Sequence, residues 1–179
     1  MHNSFKKLWT LSTEKDLDNN KVKEIIPTEW QLILMSDGSF TQHLNSLTGK
    51  IINLNIVNNF VYKHYNVKHI VREVWLKDHE YNKLTFAKSI WPLCTYKTLY
   101  TSILRSKPIG QSLIESKIDM YKDIHEIYYG YCKYLAQTLK ITEPTWGRKY
   151  TIYSQNKPLA TIHEIFSPQI INFLKNNQL

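Results

Sequence analysis

The chain has little of what several protein classes depend on. There are two cysteines in 179 residues, Cys94 and Cys132, far apart and without metal-ligand spacing. A disulfide framework is therefore not expected, and a reducing compartment is the default. The seven histidines form no HxxxH arrangement. His163 beside Glu164 is a poor ligand pair, because strand neighbours point to opposite faces; no structural metal is expected. No apolar run approaches the ~20 residues that span a bilayer. The opening "MHNSFKKLWTLSTEKDL" lacks the apolar stretch and cleavage site of a secretory signal, and is too acidic for a transit peptide. Internal repeats, low-complexity tracts and convincing linkers are all missing.

What remains is ordinary globular composition, with 42% hydrophobic and 21% charged residues. One domain over 1–179 with a real core is expected. The net charge of +8 would suit nucleic acid or an acidic small molecule. Yet the lysines are scattered, and no basic run or nucleic-acid module is present. A solvated lysine-rich surface is the plainer reading, and no nucleic-acid partner is expected. The abundance of Asn, Lys, Ile and Tyr fits A/T-rich codons, as in a plastid genome.

Patterning gives an α+β reading. Residues 10–27 form a polar lead-in, helix or loop, ended by Pro27. "TEWQLILMSD" (28–37) reads as helix or buried strand. "DGSFTQHLNSLTG" (37–49) reads as a short helix with Ser39 as N-cap and Gly49 as terminator. Residues 50–63 look like a strand. Residues 69–77 and 83–91 form a hairpin across "DHEYN". Two helical pieces broken at Pro108 cover 99–116. Residues 117–130 fit a strand, with helix as the alternative. Residues 148–154 and 157–166 make a second hairpin across "QN". Hairpins imply antiparallel pairing, hence one antiparallel sheet with helices packed on it.

Two charges violate this pattern. In "KPLATIHEIFSP" (157–168), Ala160, Ile162, Glu164 and Phe166 share a face, so Glu164 points toward the core. In "HIVREVWL", Ile70, Arg72, Val74 and Leu76 share a face on which Arg72 is the lone charge. Glu73, Val71 and Trp75 take the other face, expected to be half exposed. A buried charge is costly unless compensated. Either Arg72 and Glu164 pair with each other inside the core, or they line a closed pocket. In a pocket, the guanidinium would hold a ligand carboxylate in a bidentate fork. The glutamate would meet a hydroxyl or a transferable proton at the ligand's other end.

Four blocks, in order, carry a family resemblance: "DGSFTQHL" (37–44), "REVWL…LTFAKSIWP" (72–92), "KPIGQSL" (107–113) and "WGRKYTIYSQNKPLATIHEIFSP" (146–168). Together they resemble the chorismate pyruvate-lyase family, in its cyanobacterial and red-algal plastid form, over about 28–168. The lead-in 1–27 and a helix-like tail 169–179 lie outside, and 128–145 looks longer than in compact bacterial members. The resemblance implies an α+β fold with about six antiparallel strands and an enclosed ligand cavity under flaps. It implies conversion of chorismate to 4-hydroxybenzoate and pyruvate with no cofactor and no metal. By the same resemblance Arg72 binds the ring carboxylate and Glu164 is the acid near the product hydroxyl. Ile109, after Pro108, is a flap position whose backbone contacts the ligand. Phe40 falls where some members carry Met, also a flap contact. Gly38 and Gly110 stand beside those two positions, where bending of the backbone would serve motion. Chorismate is a dianion, so a second cation is needed. Arg148, at the start of the strand paired with that of Glu164, or a lysine is the candidate; a solvated surface arginine is the plainer reading of Arg148. A non-catalytic small-molecule sensor of the same fold is the rival function. The expected setting is a plastid stroma if the gene is plastid-encoded, otherwise cytoplasm, with a monomer that is neither secreted nor membrane-spanning.

Overall fold

The computed structural model describes residues 5–12, 24–80, 82–93, 109 and 119–175. Its strands are β1 (Phe5–Ser12), β2 (Asn53–His64), β3 (Val67–Lys77), β4 (Lys83–Pro92), β5 (Tyr121–Cys132), β6 (Thr145–Ser154) and β7 (Lys157–Phe166). They form one antiparallel sheet of seven strands in the order β1-β5-β6-β7-β4-β3-β2. The helices are α1 (Thr28–Leu34), α2 (Phe40–Thr48), α3 (Lys133–Leu139) and α4 (Ile170–Lys175). The fold is α+β.

Turn chemistry sets two of the hairpins. Tyr65 and Asn66 join β2 to β3, and Gln155 and Asn156 join β6 to β7, all four at positive φ. Two central residues in the left-handed region match the twist of the flanking strands, and Asn tolerates that region better than most residues. Between β3 and β4 the buried Asp78 takes over the turn. Its Oδ1 accepts the backbone N–H of Glu80 at 2.9 Å and of Asn82 at 2.8 Å. Gly49 ends α2 at φ 64°. Ser39 stands at the N-cap of α2, but its hydroxyl makes no capping hydrogen bond.

β3 and β6 are buried on both faces over most of their length, whereas the edge strand β2 is largely exposed. On the inner face α1, α2 and α4 pack through Trp30, Leu34, Leu44 and Ile170 onto Leu76 and Phe166. A second cluster, including Ile70, Trp91, Tyr150, Ile152 and Ile162, fills the other end of this face. On the outer face Trp75 and Phe86 meet Cys132 and Leu135.

Several expectations change here. The lead-in contributes a strand: β1 pairs with β5 along Phe5–Ser12, giving one strand more than the expected six. Residues 28–34 are helix and 121–132 are strand. Val71 and Trp75 are buried, not half exposed; for Trp75 the cause is α3, which folds back over the outer face. That gives the long 128–145 segment a role: it prolongs β5 and supplies this cover. The tail begins as α4, whose Ile170 is fully buried against α1 and α2. The expected helical pieces at 99–116, Pro108 and Gly110, and Cys94 lie outside the described residues, save Ile109.

Candidate functional site

Register explains why Arg72 and Glu164 share a face. Arg72 pairs with Ser89 and Ser89 with Ile162, while Ala87 pairs with Glu164. Directly paired residues project to the same side. Both side chains therefore stand on the inner face, two strands and one pleat repeat apart, about 12 Å between Cα atoms by standard strand spacing. Arg72 is 1% exposed and Glu164 5%.

Both line one cavity of about 360 Å³, a size that suits a small ligand. Val74, Ala87 and Ile162 form its apolar floor between the two charges. Phe40 with the rest of 37–42 forms one wall, and Ile109, packed against the cluster of Ile70, Trp91 and Tyr150, also lines the cavity. Of the five residues singled out in the sequence, four thus come together: Arg72, Glu164, Phe40 and Ile109. Gly38 is also on the wall, where an added Cβ would lie 2.8 Å from His43 Nε2. That contact is with the end of the exposed His43 side chain, and the Gly38 backbone is not left-handed, so neither feature requires glycine.

Arg148 is placed differently. It is neither a solvated surface residue nor part of the cavity lining; it is completely buried. Its register partner is Glu164, and its Nε donates to Glu164 Oε2 at 2.7 Å. Its Nη1 donates to the carbonyls of Ile33 (2.9 Å), Leu34 (3.1 Å) and Ser36 (3.0 Å). These carbonyls lie at the C-terminal end of α1, where helices leave acceptors unfilled and favour a cation. The guanidinium also lies over the rings of Phe40, Tyr150 and Phe166 at 5.2–5.7 Å. Arg148 thus ties the cavity's carboxylate to the helix end from which the 37–42 wall departs. The correction has a simple cause: β6 begins at Thr145, so Arg148 is an interior residue of a central strand.

The other Glu164 oxygen, Oε1, accepts the Tyr150 hydroxyl at 3.0 Å. Burial and the neighbouring Glu164 push the Tyr150 phenol well above its ordinary range, so it stays a donor. Held by two donors, Glu164 has one fixed orientation and presents its remaining lone pairs as acceptors. Burial brings Arg72 down to about 10, which leaves it a cation at neutral pH.

The residue missed in the sequence is Lys122. It lines the same cavity from β5, with Nζ hydrogen-bonded to the Gly38 carbonyl and 5.0 Å from the centre of the Tyr150 ring. Desolvation lowers it to about 8, with Arg148 acting in the same sense and Glu164 and Asp37 opposing. Among the described residues no cluster of three or more His, Cys, Asp or Glu side chains is arranged to hold a metal, and no helix is long and apolar enough to cross a membrane.

The chain is similar along nearly its whole length to the ycf21 protein of Antithamnion sp., at 39% identity over 96% of this chain and 95% of that one. The ycf21 protein of Porphyra purpurea is 40% identical over 83% of this chain and 86% of the other. Among solved structures, the effector domain of PhnF from Mycobacterium smegmatis shares the fold at a TM-score of 0.52 and 11% identity, covering 74% of this chain and 90% of that domain. The sequence pattern of one family matches residues 34–174, which include every residue lining the cavity just described. The chain belongs to the Rv2949c-like chorismate pyruvate-lyase family.

Proposed function

We propose that this protein is a chorismate pyruvate-lyase, which eliminates pyruvate from chorismate to give 4-hydroxybenzoate. The observation that supports it most is one cavity lined by an arginine and a doubly held glutamate across an apolar floor. Arg72 takes the ring carboxylate in a charge-assisted fork. Glu164 stands at the carbon bearing the hydroxyl, para to that carboxylate, as the acid–base group. In the reaction the hydrogen on that carbon leaves as a proton. Its electron pair forms the last double bond of the ring. The adjacent carbon–oxygen bond breaks, and enolpyruvate departs and becomes pyruvate on gaining a proton. Aromatisation drives the step, so the protein's task is orientation and exclusion of water. No redox change occurs, and no cofactor or metal is called for. Phe40 and Ile109 supply the apolar cover.

The red-algal origin of the ycf21 relatives supports a plastid setting, where 4-hydroxybenzoate would serve quinone synthesis of the plastoquinone type. We take the working form to be a monomer of a single domain. The decisive assay mixes folded protein with chorismate and measures 4-hydroxybenzoate and pyruvate together, with equal yields expected. A second reading, a sensor of aromatic carboxylates, draws on the shared fold of the PhnF effector domain. Tight binding of 4-hydroxybenzoate with neither product formed from chorismate would select that reading instead.

A further inference from the structure

We propose that Lys122 is the seat of the substrate's second carboxylate, so that the cavity is matched to a ring bearing two carboxylates and one hydroxyl. The inference rests on the lyase reading and assigns the subsite that reading leaves without a cation.

Three observations carry it. First, Lys122 and Arg72 stand at opposite sides of the same cavity. Lys122 pairs with Ile152 on β6, and β5 is separated from β3 by β6, β7 and β4. Strand spacing puts their Cα atoms about 20 Å apart, with two long side chains converging on the space between. Glu164, on β7, stands between the two strands. Three polar corners in this arrangement fit a ring carboxylate, a hydroxyl, and a carboxylate on the substituent next to that hydroxyl. Second, Arg148 is committed. It is buried off the cavity lining, with Nε on Glu164 and Nη1 on three carbonyls, and its remaining Nη2 is enclosed in the protein without a hydrogen-bond partner, so the second carboxylate needs another cation. Third, Lys122 is oriented before any ligand arrives. An ammonium has three donors. Among the described residues Nζ gives one to Gly38 O, while the Tyr150 face supports the charge.

The contact with Gly38 adds a consequence. An arriving carboxylate competes for the ammonium that holds the 37–42 wall. After the elimination that carboxylate belongs to pyruvate and the other to 4-hydroxybenzoate, so Lys122 holds only the smaller product.

The test compares two ligands by calorimetry: 3-(1-carboxyvinyloxy)benzoate, an aromatic dicarboxylate that cannot eliminate, and 4-hydroxybenzoate, which has one carboxylate. Lys122→Gln should weaken the dicarboxylate about 10–100-fold, as expected for loss of a charge-assisted contact. It should leave 4-hydroxybenzoate within about 3-fold, and Lys122→Arg should restore most of the difference. A pH series on the unaltered protein gives an arm independent of folding. The charged groups facing Lys122 are Glu164 on β7, Arg148 on β6 and Asp37 on the wall. His43 on α2 is held below its usual value and Tyr150 well above its own, so neither titrates near pH 8. Affinity for the dicarboxylate should therefore fall above about pH 8, while that for 4-hydroxybenzoate does not. Equal losses for both ligands, or none, overturn the assignment, as does a flat pH profile. Lyase activity without this discrimination defeats the Lys122 assignment alone. Discrimination without turnover defeats the lyase reading alone.

Discussion

Replacing Arg148 by methionine separates a positioning role from a ligand-binding one. Methionine keeps the apolar contact with Phe40, Tyr150 and Phe166 but removes every donor. The Glu164 carboxylate, whose side chain is 7% exposed, then loses its ionic partner. Breaking a buried pair from one side costs about 3–5 kcal/mol. The carbonyls of Ile33 and Leu34 at the end of α1 and of Ser36 just beyond it also lose their donor, which adds about 1–2 kcal/mol. Better burial of the methionine offsets roughly 1–2 kcal/mol. The net loss is about 3–5 kcal/mol, against a total stability on the order of 5–15. Urea unfolding, followed through Trp30 and Trp146 in the inner cluster, should show the midpoint falling by about 1.5–2.5 M for a slope near 2 kcal/mol/M. The double variant Arg148→Met with Glu164→Leu removes the stranded charge and should recover at least about 2 kcal/mol. It also keeps the test open if the single variant does not fold. A single variant within about 1 kcal/mol of the parent, or a double variant no better than the single, would refute the claim that Arg148 compensates Glu164.

Three other outcomes are expected. Arg72→Ala should weaken chorismate and 4-hydroxybenzoate by about 2–5 kcal/mol, whereas the nearly isosteric Glu164→Gln should lower turnover and spare affinity. Parent-like turnover in Glu164→Gln would remove Glu164 from the chemistry. Rapid mixing should show a burst of 4-hydroxybenzoate before a slower steady rate, because an aromatic product must leave past Phe40 and Ile109; a trace without a burst would make chemistry or an earlier step limiting. His163, on the outer face, is held down to about 4 mainly by burial, with Lys149 and Lys88 adding to it. The folded state then binds fewer protons than the unfolded state between about pH 6.5 and 4. This stability is present above pH 6.5 and lost as pH falls through that window, by up to about 3 kcal/mol. His163→Gln should flatten the decline measured by urea midpoints.

The parts of the site legible in the sequence share one property: their strands alternate without interruption. β7 from Thr161 to Phe166 and β3 from Ile70 to Leu76 run in unbroken register with β4. Parity alone therefore puts Glu164 and Arg72 on the core face. Arg148 obeys the same rule, with Trp146 and Tyr150 on its face. Starting the strand at Arg148 instead of Thr145 removes Trp146 from the pattern and makes an interior residue look terminal. Even the full strand does not reveal its partners at and just beyond the end of α1, which lie more than 110 residues away in the chain.

Lys122 and β1 were hidden by a different cause. The ladder between β5 and β6 shifts between Ile124 and Glu126, so one extra residue changes the side to which the strand presents its odd and even positions. Lys122 and Ile124 face inward before the shift, and Ile127 does so after it, pairing with Arg148. A single parity applied across 121–132 therefore cannot place both ends, and the inward lysine looks like another solvated charge. The same slip occurs in β1 between Lys7 and Trp9. There Lys7 forms an ion pair with Glu126, whose register continues through Lys149 and His163 on the outer face. Trp9, two residues later, packs edge-on against Trp146 in the inner cluster. Without the bulge both would point the same way. These two bulges lie on adjoining strands at one side of the sheet, so that side is where pattern reading failed, and it supplies the second cation of the proposed site. The proposed ligand-facing chemistry is thus split: Arg72, proposed for the first carboxylate, stands on a strand whose regular pleat announces it, and Lys122, proposed for the second, on a strand whose broken pleat conceals it.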